Sequence, residues 1–368
     1  MQILVTGSKG FIGQNLMVEL SSIEAYAVDT FDRGDSLEML KSKILEADAV
    51  IHLAGENRPS DSKDFDIGNH QLTKKICETI EKLGKKIPII FASSTQAGDS
   101  NPYGASKLAA ENALHALEES AGCQVSIYRL PGVFGKWSRP NYNSVVATFC
   151  HNIANNLPIQ INDPAKSLPL VYIDDVIKSF IHTLQSLETS SQFISVEPTY
   201  SITLQELADQ LKLFFDSRST LISERVGSGL IRALYSTYLS FLSPENFTYT
   251  IPFFPDERGM FAEVLKTKDS GQFSFFTTLP GVTRGQHFHH SKSEKFIIIK
   301  GQARFRFRHL ISNERFEIFS SSDELKVVET IPGWVHDITN VGENEMIAML
   351  WANEIFDREK PDTISSEV

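Results

Sequence analysis

Met1-Gln-Ile-Leu-Val-Thr-Gly7-Ser-Lys-Gly10-Phe-Ile-Gly13 opens the chain, and its reading decides the fold of everything that follows as far as about residue 185. Residues 2–6 are an apolar, β-branched run that predicts a strand, and residues 11–20 predict a helix. Glycines occupy the junction, where any side chain would keep the backbone away from a phosphate. A strand, a glycine turn and a helix in this order make a dinucleotide-binding start, with the pyrophosphate on the helix N-terminus. Gly7, Lys9, Gly10, Phe11, Ile12 and Gly13 are the candidate contacts.

Outward from this stretch the alternation continues. Residues 25–29, 49–53, 87–92 and 125–130 read as short apolar strands, with a helical pattern over 72–83. Such alternation predicts an α/β domain, a doubly wound parallel sheet with helices on both faces. Residues 201–241 read as helical, with Leu204, Leu207, Ala208 and Leu211 at helical spacing. After Ser243-Pro244 the character changes. Pro252, Pro255 and Gly259 punctuate the chain, and alternating runs such as Phe296-Ile-Ile-Ile299 and Arg304-Phe-Arg-Phe-Arg308 follow. These predict an all-β barrel, and we place the boundary so that residues 1–246 and 247–368 form two domains.

A length of 368 residues suits that division. The net charge of −11 leaves no electrostatic footprint for nucleic acid or for an anionic membrane, so a phosphate ligand must be met by local cations. No leader precedes the strand-like run at Met1, and no window approaches ~20 unbroken apolar residues. Cys77, Cys123 and Cys150 form no ligand motif and read as buried free thiols. A cytoplasmic protein is expected.

Tyr103-Gly-Ala-Ser-Lys107 carries the first chemistry. Positions i and i+4 share a helix face, so the Lys107 ammonium can stand beside the phenol and lower its pKa from about 10. A pair at this spacing is weak evidence by itself, and its bland reading is a surface helix after Asn101-Pro102. Phe91-Ala-Ser-Ser94-Thr95, at a strand end, completes a Ser–Tyr–Lys set.

With Val50-Ile-His-Leu-Ala-Gly55, Arg129-Leu-Pro-Gly-Val-Phe-Gly135 and Val171-Tyr-Ile-Asp-Asp175, these features resemble the extended short-chain dehydrogenase/reductase family over roughly the first 180 residues. The resemblance implies a Rossmann-type domain. In it Tyr103 protonates the alkoxide formed as hydride reaches a carbonyl, and Lys107 holds the nicotinamide ribose. Ser94 (or Thr95) bonds the carbonyl oxygen, and Leu53 and Ala54 line the cofactor. Gln96-Ala97 stands where sugar dehydratases of the family carry acidic residues, which points to simple carbonyl reduction. Asp29, at the end of the expected second strand, would favour an NAD ribose, whereas Arg33 and Lys9 could clamp a 2′-phosphate. A reductive biosynthetic role favours NADPH.

Gly281-Val-Thr-Arg-Gly-Gln-His287-Phe-His289-His290-Ser-Lys-Ser-Glu294 carries the second chemistry. Imidazoles two apart on a strand point to one side, and the carboxylate of Glu294 can join them. His336, in Pro332-Gly-Trp-Val-His336-Asp-Ile-Thr-Asn340, supplies a fourth ligand. Three histidines and a glutamate suit Zn²⁺ or another divalent transition metal; buried structural histidines are the alternative. His290 is expected on the opposite face, and His309 carries no motif. Both segments resemble the cupin motifs. Through Asp256-Glu-Arg258-Gly-Met-Phe261-Ala-Glu263 and Gly281 to His287, the domain also resembles sugar-nucleotide 3,5-epimerases, which use the matching histidine as a base beside a 4-keto group. A ligated nitrogen has no lone pair left for that task, so His287 is read as a ligand first.

The whole chain resembles the CapF-type bifunctional capsular-polysaccharide enzymes. The carrying stretches are Gly55-Glu-Asn57-Arg58-Pro59, Gly135-Lys-Trp-Ser-Arg-Pro140-Asn-Tyr-Asn-Ser144, Leu234-Tyr-Ser-Thr-Tyr-Leu239 and Asn353-Glu-Ile-Phe-Asp357. That resemblance implies a homodimer with a zinc-bearing cupin. It also implies C3 epimerisation and NADPH-dependent C4 reduction of a UDP-2-acetamido-2,6-dideoxy-4-hexulose to the L-talose product, toward UDP-N-acetyl-L-fucosamine. One rival is a single-activity reductase of UDP-linked 4-keto sugars with a structural, dimerising cupin. Another is an NADPH-sensing regulator, which has no need of a proton donor such as Tyr103.

Overall fold

β1 (Gln2–Thr6) pairs in parallel with β2 (Ala27–Phe31) on one side and β3 (Ala49–His52) on the other. A strand flanked on both edges and covered on both faces must be apolar throughout, and Ile3, Leu4 and Val5 are fully buried. β4 (Ile89–Ser94), β5 (Val125–Leu130) and β8 (Gln192–Ile194) extend the sheet in the order β2-β1-β3-β4-β5-β8, every pairing parallel. This computed structural model describes residues 1–186, 192–251, 253–256, 259–262, 265–267, 271–354 and 359–368.

On one face, α2 (Leu37–Glu46), α4 (Leu72–Lys82) and α5 (Pro102–Ala121) bury Leu40, Ile76 and Leu114 against Leu4, Val50 and Phe91. On the other, α1 (Phe11–Ser21) packs beside α7 (Ile173–Ser186), whose Phe180 meets Tyr128 at 4.6 Å. α3 (Lys63–Phe65) leads through a wider turn over Asp66–Gln71 into α4. A smaller sheet joins β6 (Gly132–Phe134), β7 (Ser167–Tyr172) and β9 (Thr199–Thr203). α5 starts where Asn101 accepts from Gly104 N at 2.8 Å and ends at Gly122, which takes the left-handed φ of 65°.

Three expectations shift. β4 lies two residues later than 87–92, its register running from Ile89 opposite Val125 to Ser94 opposite Leu130. The second strand lies two residues later than 25–29, because its register runs from Gln2 opposite Ala27 to Thr6 opposite Phe31. Asp29 is therefore inside the strand, 3.2 Å from Lys43, and the acidic residue that follows the strand is Asp32. The helical stretch at 201–241 is divided into α8 (Leu204–Thr220), the short β10 (Ile222–Ser223) and α9 (Gly229–Leu239), with Thr203 and Glu206 forming a capping box.

The chain divides into two compact units, Met1–Ser144 with Leu168–Ile202, and Val145–Ser167 with Thr203–Val368. The second unit holds α6 (Val145–Ala154), α8 and α9 together with the β region. There β11 (Thr248–Thr250), β15 (Gln272–Thr278), β17 (Glu294–Lys300), β20 (Lys326–Thr330) and β22 (Met346–Ala352) form one five-stranded antiparallel sheet. β16 (Thr283–Phe288), β18 (Gln302–His309), β19 (Arg315–Ser321), β21 (Trp334–Asn340) and β23 (Ile364–Ser365) form another. β12 (Phe253–Asp256) pairs with β13 (Gly259–Ala262), and β14 (Lys266–Thr267) with β10. Strand alternation brings Phe296 of one sheet against Phe305 of the other, ring centres 5.6 Å apart, in a cupin-like arrangement. No helix among the described residues is long and apolar enough to cross a membrane.

A buried ionic network ties α8 to this β region. Glu329 receives Lys295 at 3.0 Å and Arg218 at 2.5 Å, while Lys295 also donates to the Tyr249 hydroxyl at 3.2 Å. Burial alone would discharge Lys295, yet Glu329 holds its ammonium well above the usual range. Glu329→Gln leaves that ammonium without a counter-charge and should lower unfolding stability by about 3–5 kcal/mol in urea denaturation. A loss below about 1 kcal/mol would show that the ion pair does not hold α8 in place.

Candidate functional site

The turn between β1 and α1 has no room for side chains. A Cβ on Gly7, whose φ is +74°, would stand 2.6 Å from Ala54 N, and one on Gly13 would stand 2.2 Å from Gly7 O. Both neighbours are backbone and cannot move aside, so the helix start is drawn down onto the strand ends. Gly10 caps α1 without a side-chain hydrogen bond, and with Phe11 and Ile12 in the first turn it leaves the leading amides available to an anion. Leu53 N bonds Thr6 O at 3.1 Å and Ala54 N bonds Thr6 Oγ1 at 3.2 Å, which sets both against this turn. Lys9 is exposed, and the exposed Arg33 guanidinium is ion-paired with Glu56. Asp32, which the sequence motifs do not single out, accepts from Ser8 Oγ at 2.5 Å and from Lys9 N at 3.4 Å. Its signal is positional, the residue just past β2, and depends on knowing where that strand ends.

Ser94 ends β4 and Tyr103 lies in the first turn of α5, close enough that Ser94 acts on the phenol; Thr95 is exposed. Lys107 is buried, donates to Ala92 O at 3.0 Å and stands 5.1 Å from the centre of the Phe91 ring. The expected lowering of the phenol by Lys107 is not found. Burial raises Tyr103, and only the Ser94 hydrogen bond opposes it, so the phenol keeps its proton at neutral pH, the form a proton donor needs. Burial brings Lys107 down to about 8, with the Glu111 carboxylate holding it up. Glu111, one turn along α5, is fixed by Ser93 Oγ at 2.5 Å and by Arg129 at 3.0 and 2.6 Å.

Two further residues shape this floor. His52 stacks on Phe91 at 5.2 Å between Thr6 Oγ1 (2.6 Å) and Thr73 Oγ1 (2.8 Å), and burial, then Lys107, push it down to about 3. It is a neutral spacer. Asn69 bridges Glu56 N at 2.9 Å and Ser106 Oγ at 2.9 Å, and a Cβ on Gly55 would stand 2.5 Å from Asn69 Oδ1 and 3.3 Å from Lys107 Nζ. A lone asparagine in a helical stretch has no signal in sequence.

In the second unit, His287, His289, Glu294 and His336 each offer one ligating atom within 4.8 Å of the others. A bulge between Gly285 and His287, with Gly285 at φ +101° and Gln286 at +57°, places His287 directly opposite His336. His289 lies just past the strand, its ring 4.9 Å from that of His287. Glu294 Oε2 is 3.2 Å from His289 Nε2 and 3.4 Å from His336 Nε2, and Lys292 Nζ is 2.8 Å from the other carboxylate oxygen. Burial, then His336 and His289, push His287 down to about 3, so its imidazole is neutral. His287 Nε2 and both ring nitrogens of His336 are buried without an aligned hydrogen bond, which is the state of donors arranged around a cation. The donor set therefore fits a divalent metal. His290 lies outside the cluster with its ring against Phe288, and His309 packs on Trp334. Residues 257, 258, 263 and 355–357 of the stretches quoted above lie outside the described residues.

Two family models match the chain: the NAD dependent epimerase/dehydratase family over residues 3–196, and the polysaccharide biosynthesis C-terminal domain over residues 254–364. UDP-2-acetamido-2,6-beta-L-arabino-hexul-4-ose reductase from Pseudomonas aeruginosa is 53% identical over 368 residues, 100% of this chain and 99% of that one. The crystal structure of the capsular polysaccharide assembling protein CapF from Staphylococcus aureus aligns over 100% of both chains, with 40% identity and a TM-score of 0.68. UDP-glucuronic acid 4-epimerase from Bacillus cereus shares the fold over 58% of this chain and 83% of its own, at 20% identity and a TM-score of 0.52.

The environment of Lys107 makes a direct prediction. In protein carrying ¹³Cε-lysine, one ammonium should titrate near pH 8, vanish in Lys107→Met and move lower in Glu111→Gln. A Lys107 signal titrating above about 10 would mean that the group is not desolvated.

Proposed function

This chain belongs to the NAD dependent epimerase/dehydratase family, in the CapF-type group that carries a polysaccharide biosynthesis C-terminal domain, and we propose that it converts a UDP-linked 4-keto deoxy amino sugar in two steps. The β domain inverts C3 of a UDP-2-acetamido-2,6-dideoxy-4-hexulose, and the reductase domain reduces C4 with NADPH to the L-talose product, for capsule or O-antigen synthesis. Residues 1–246 carry the reduction and 247–368 the epimerisation. The enzyme works in the cytoplasm as a homodimer.

The observation that carries the reductase is the Tyr103 phenol, kept protonated by burial at the start of α5, beside Ser94 at the end of β4. The bound nicotinamide supplies hydride. Tyr103 delivers its proton to the C4 oxygen, Ser94 donates a hydrogen bond to the same oxygen, and Lys107 holds the ribose and keeps a positive charge below it. The glycine turn seats the pyrophosphate on the α1 N-terminus, and a 2′-phosphate of NADPH would be met by Lys9 and by Arg33 drawn from its pairing with Glu56. The likeness to the P. aeruginosa reductase over the whole chain supports this reading.

In the β domain, His287, His289, Glu294 and His336 would hold a divalent cation, Zn²⁺ by its donor set. When bound, such a cation stabilises negative charge on the C4 oxygen as the C3 proton leaves. Aimed into the cluster, His287 Nε2 serves as a ligand, and the base is another group. Reduction removes the ketone that acidified C3–H, so it traps the inverted product. The P. aeruginosa relative is named for the reductase activity alone, which favours a second reading: a single-activity reductase whose β domain is structural.

Two measurements decide between these. Tyr103→Phe should bind NADPH normally yet lose reduction by about 10²–10⁴-fold, and unchanged turnover would sink the proton-donor role. Protein given the UDP-4-hexulose in D₂O without NADPH should introduce deuterium at C3. Its absence from a metal-loaded protein would leave only the single-activity reductase.

A further inference from the structure

The histidine cluster is fastened from behind by a residue far along the chain. Asp362 places both carboxylate oxygens on the turn that follows β16. Oδ1 accepts from His290 N at 2.9 Å, and Oδ2 accepts from Ser291 N at 2.8 Å, Ser291 Oγ at 3.1 Å and Lys292 N at 2.7 Å. Three successive amides converging on one carboxylate form a nest, which fixes the path of the turn. The backbone carbonyl of the same residue meets Nδ1 of His289. A carbonyl can only accept, so His289 carries a hydrogen on Nδ1, which leaves Nε2 as the nitrogen that faces the cluster, 3.2 Å from Glu294 Oε2. Lys292, whose amide Asp362 holds, reaches Glu294 Oε1 at 2.8 Å and leaves Oε2 to face the imidazoles. Arg232 of α9 steadies the arrangement, 3.7 Å from the Asp362 carboxylate and 2.5 Å from Ser291 Oγ.

We infer that Asp362 is a positioning residue for the candidate metal site: it locks His289 in the ligating tautomer and, through Lys292, presents Glu294 by a single oxygen. The inference rests on reading His287, His289, Glu294 and His336 as a ligand set, and its test separates the two. In metal-free wild type, ¹⁵N shifts of the His289 ring should report hydrogen on Nδ1; an Nδ1 without hydrogen overturns the latch. The full chain, stripped of metal, is then titrated with Co²⁺, read by its ligand-field absorption, and with Zn²⁺ against a chelator. Wild type should take up one equivalent. Asp362→Ala should bind about 10–100-fold more weakly with altered bands, and Asp362→Asn, which keeps one acceptor oxygen, should fall between. Thermal unfolding of the metal-free proteins checks that the fold persists, and Asp362→Asn decides if Asp362→Ala does not fold. Wild-type affinity and bands in a folded variant overturn the latch. Failure of wild type to bind either metal overturns the ligand-set reading, and the latch with it.

Discussion

An ionised side chain removed from water is costly unless its hydrogens or lone pairs are met, and among the described residues four ammonium groups are buried, Lys107, Lys136, Lys292 and Lys295. Three of them are answered by carboxylates: Lys136 by Asp174 at 2.6 Å, Lys292 by Glu294 at 2.8 Å and Lys295 by Glu329 at 3.0 Å. Lys107 is answered differently, by the carbonyl of Ala92 and the face of Phe91. That choice organises the floor around it. His52, beneath the same ring, stays uncharged, Gly55 yields the space above, and Glu111 sits one turn behind.

Desolvation acts on both candidate sites and in opposite directions. It favours the neutral form of whatever it surrounds, so it keeps a proton on Tyr103 and keeps one off His287. Each neutral form suits the role proposed for it: a phenol with a hydrogen to give, and an imidazole with a lone pair to share.

Much of this is legible in the sequence wherever its cause is local. The glycine turn, the Tyr103–Lys107 spacing and the His287–His289–Glu294 run are each contained within fourteen residues or fewer, and short-range geometry brings them together. What escapes depends on distant partners. The second strand lies two residues later than its apolar pattern suggests because its end is set by pairing with β1, which nothing within 25–31 encodes, and Asp32 is hidden with it. The direction of the Tyr103 shift depends on where the Lys107 ammonium is drawn, and spacing along a helix says nothing of Ala92 O. Asp362 is 72 residues from His290 and carries no motif.

The contact between Arg218 and Glu329 spans 111 residues and crosses the stretch between 196 and 254 that neither family model covers. A gene fusion that joined a bare barrel to a reductase within that stretch would have arrived with Glu329 and Lys295 lacking a cover. α8 supplies that cover through Arg218, and α9 holds the same barrel through Ser236 Oγ, which donates to Ser291 O at 2.6 Å. The heritable module on this side is thus longer than the part its motifs mark, and recombination that respects it would exchange α8 and α9 with the barrel as one piece.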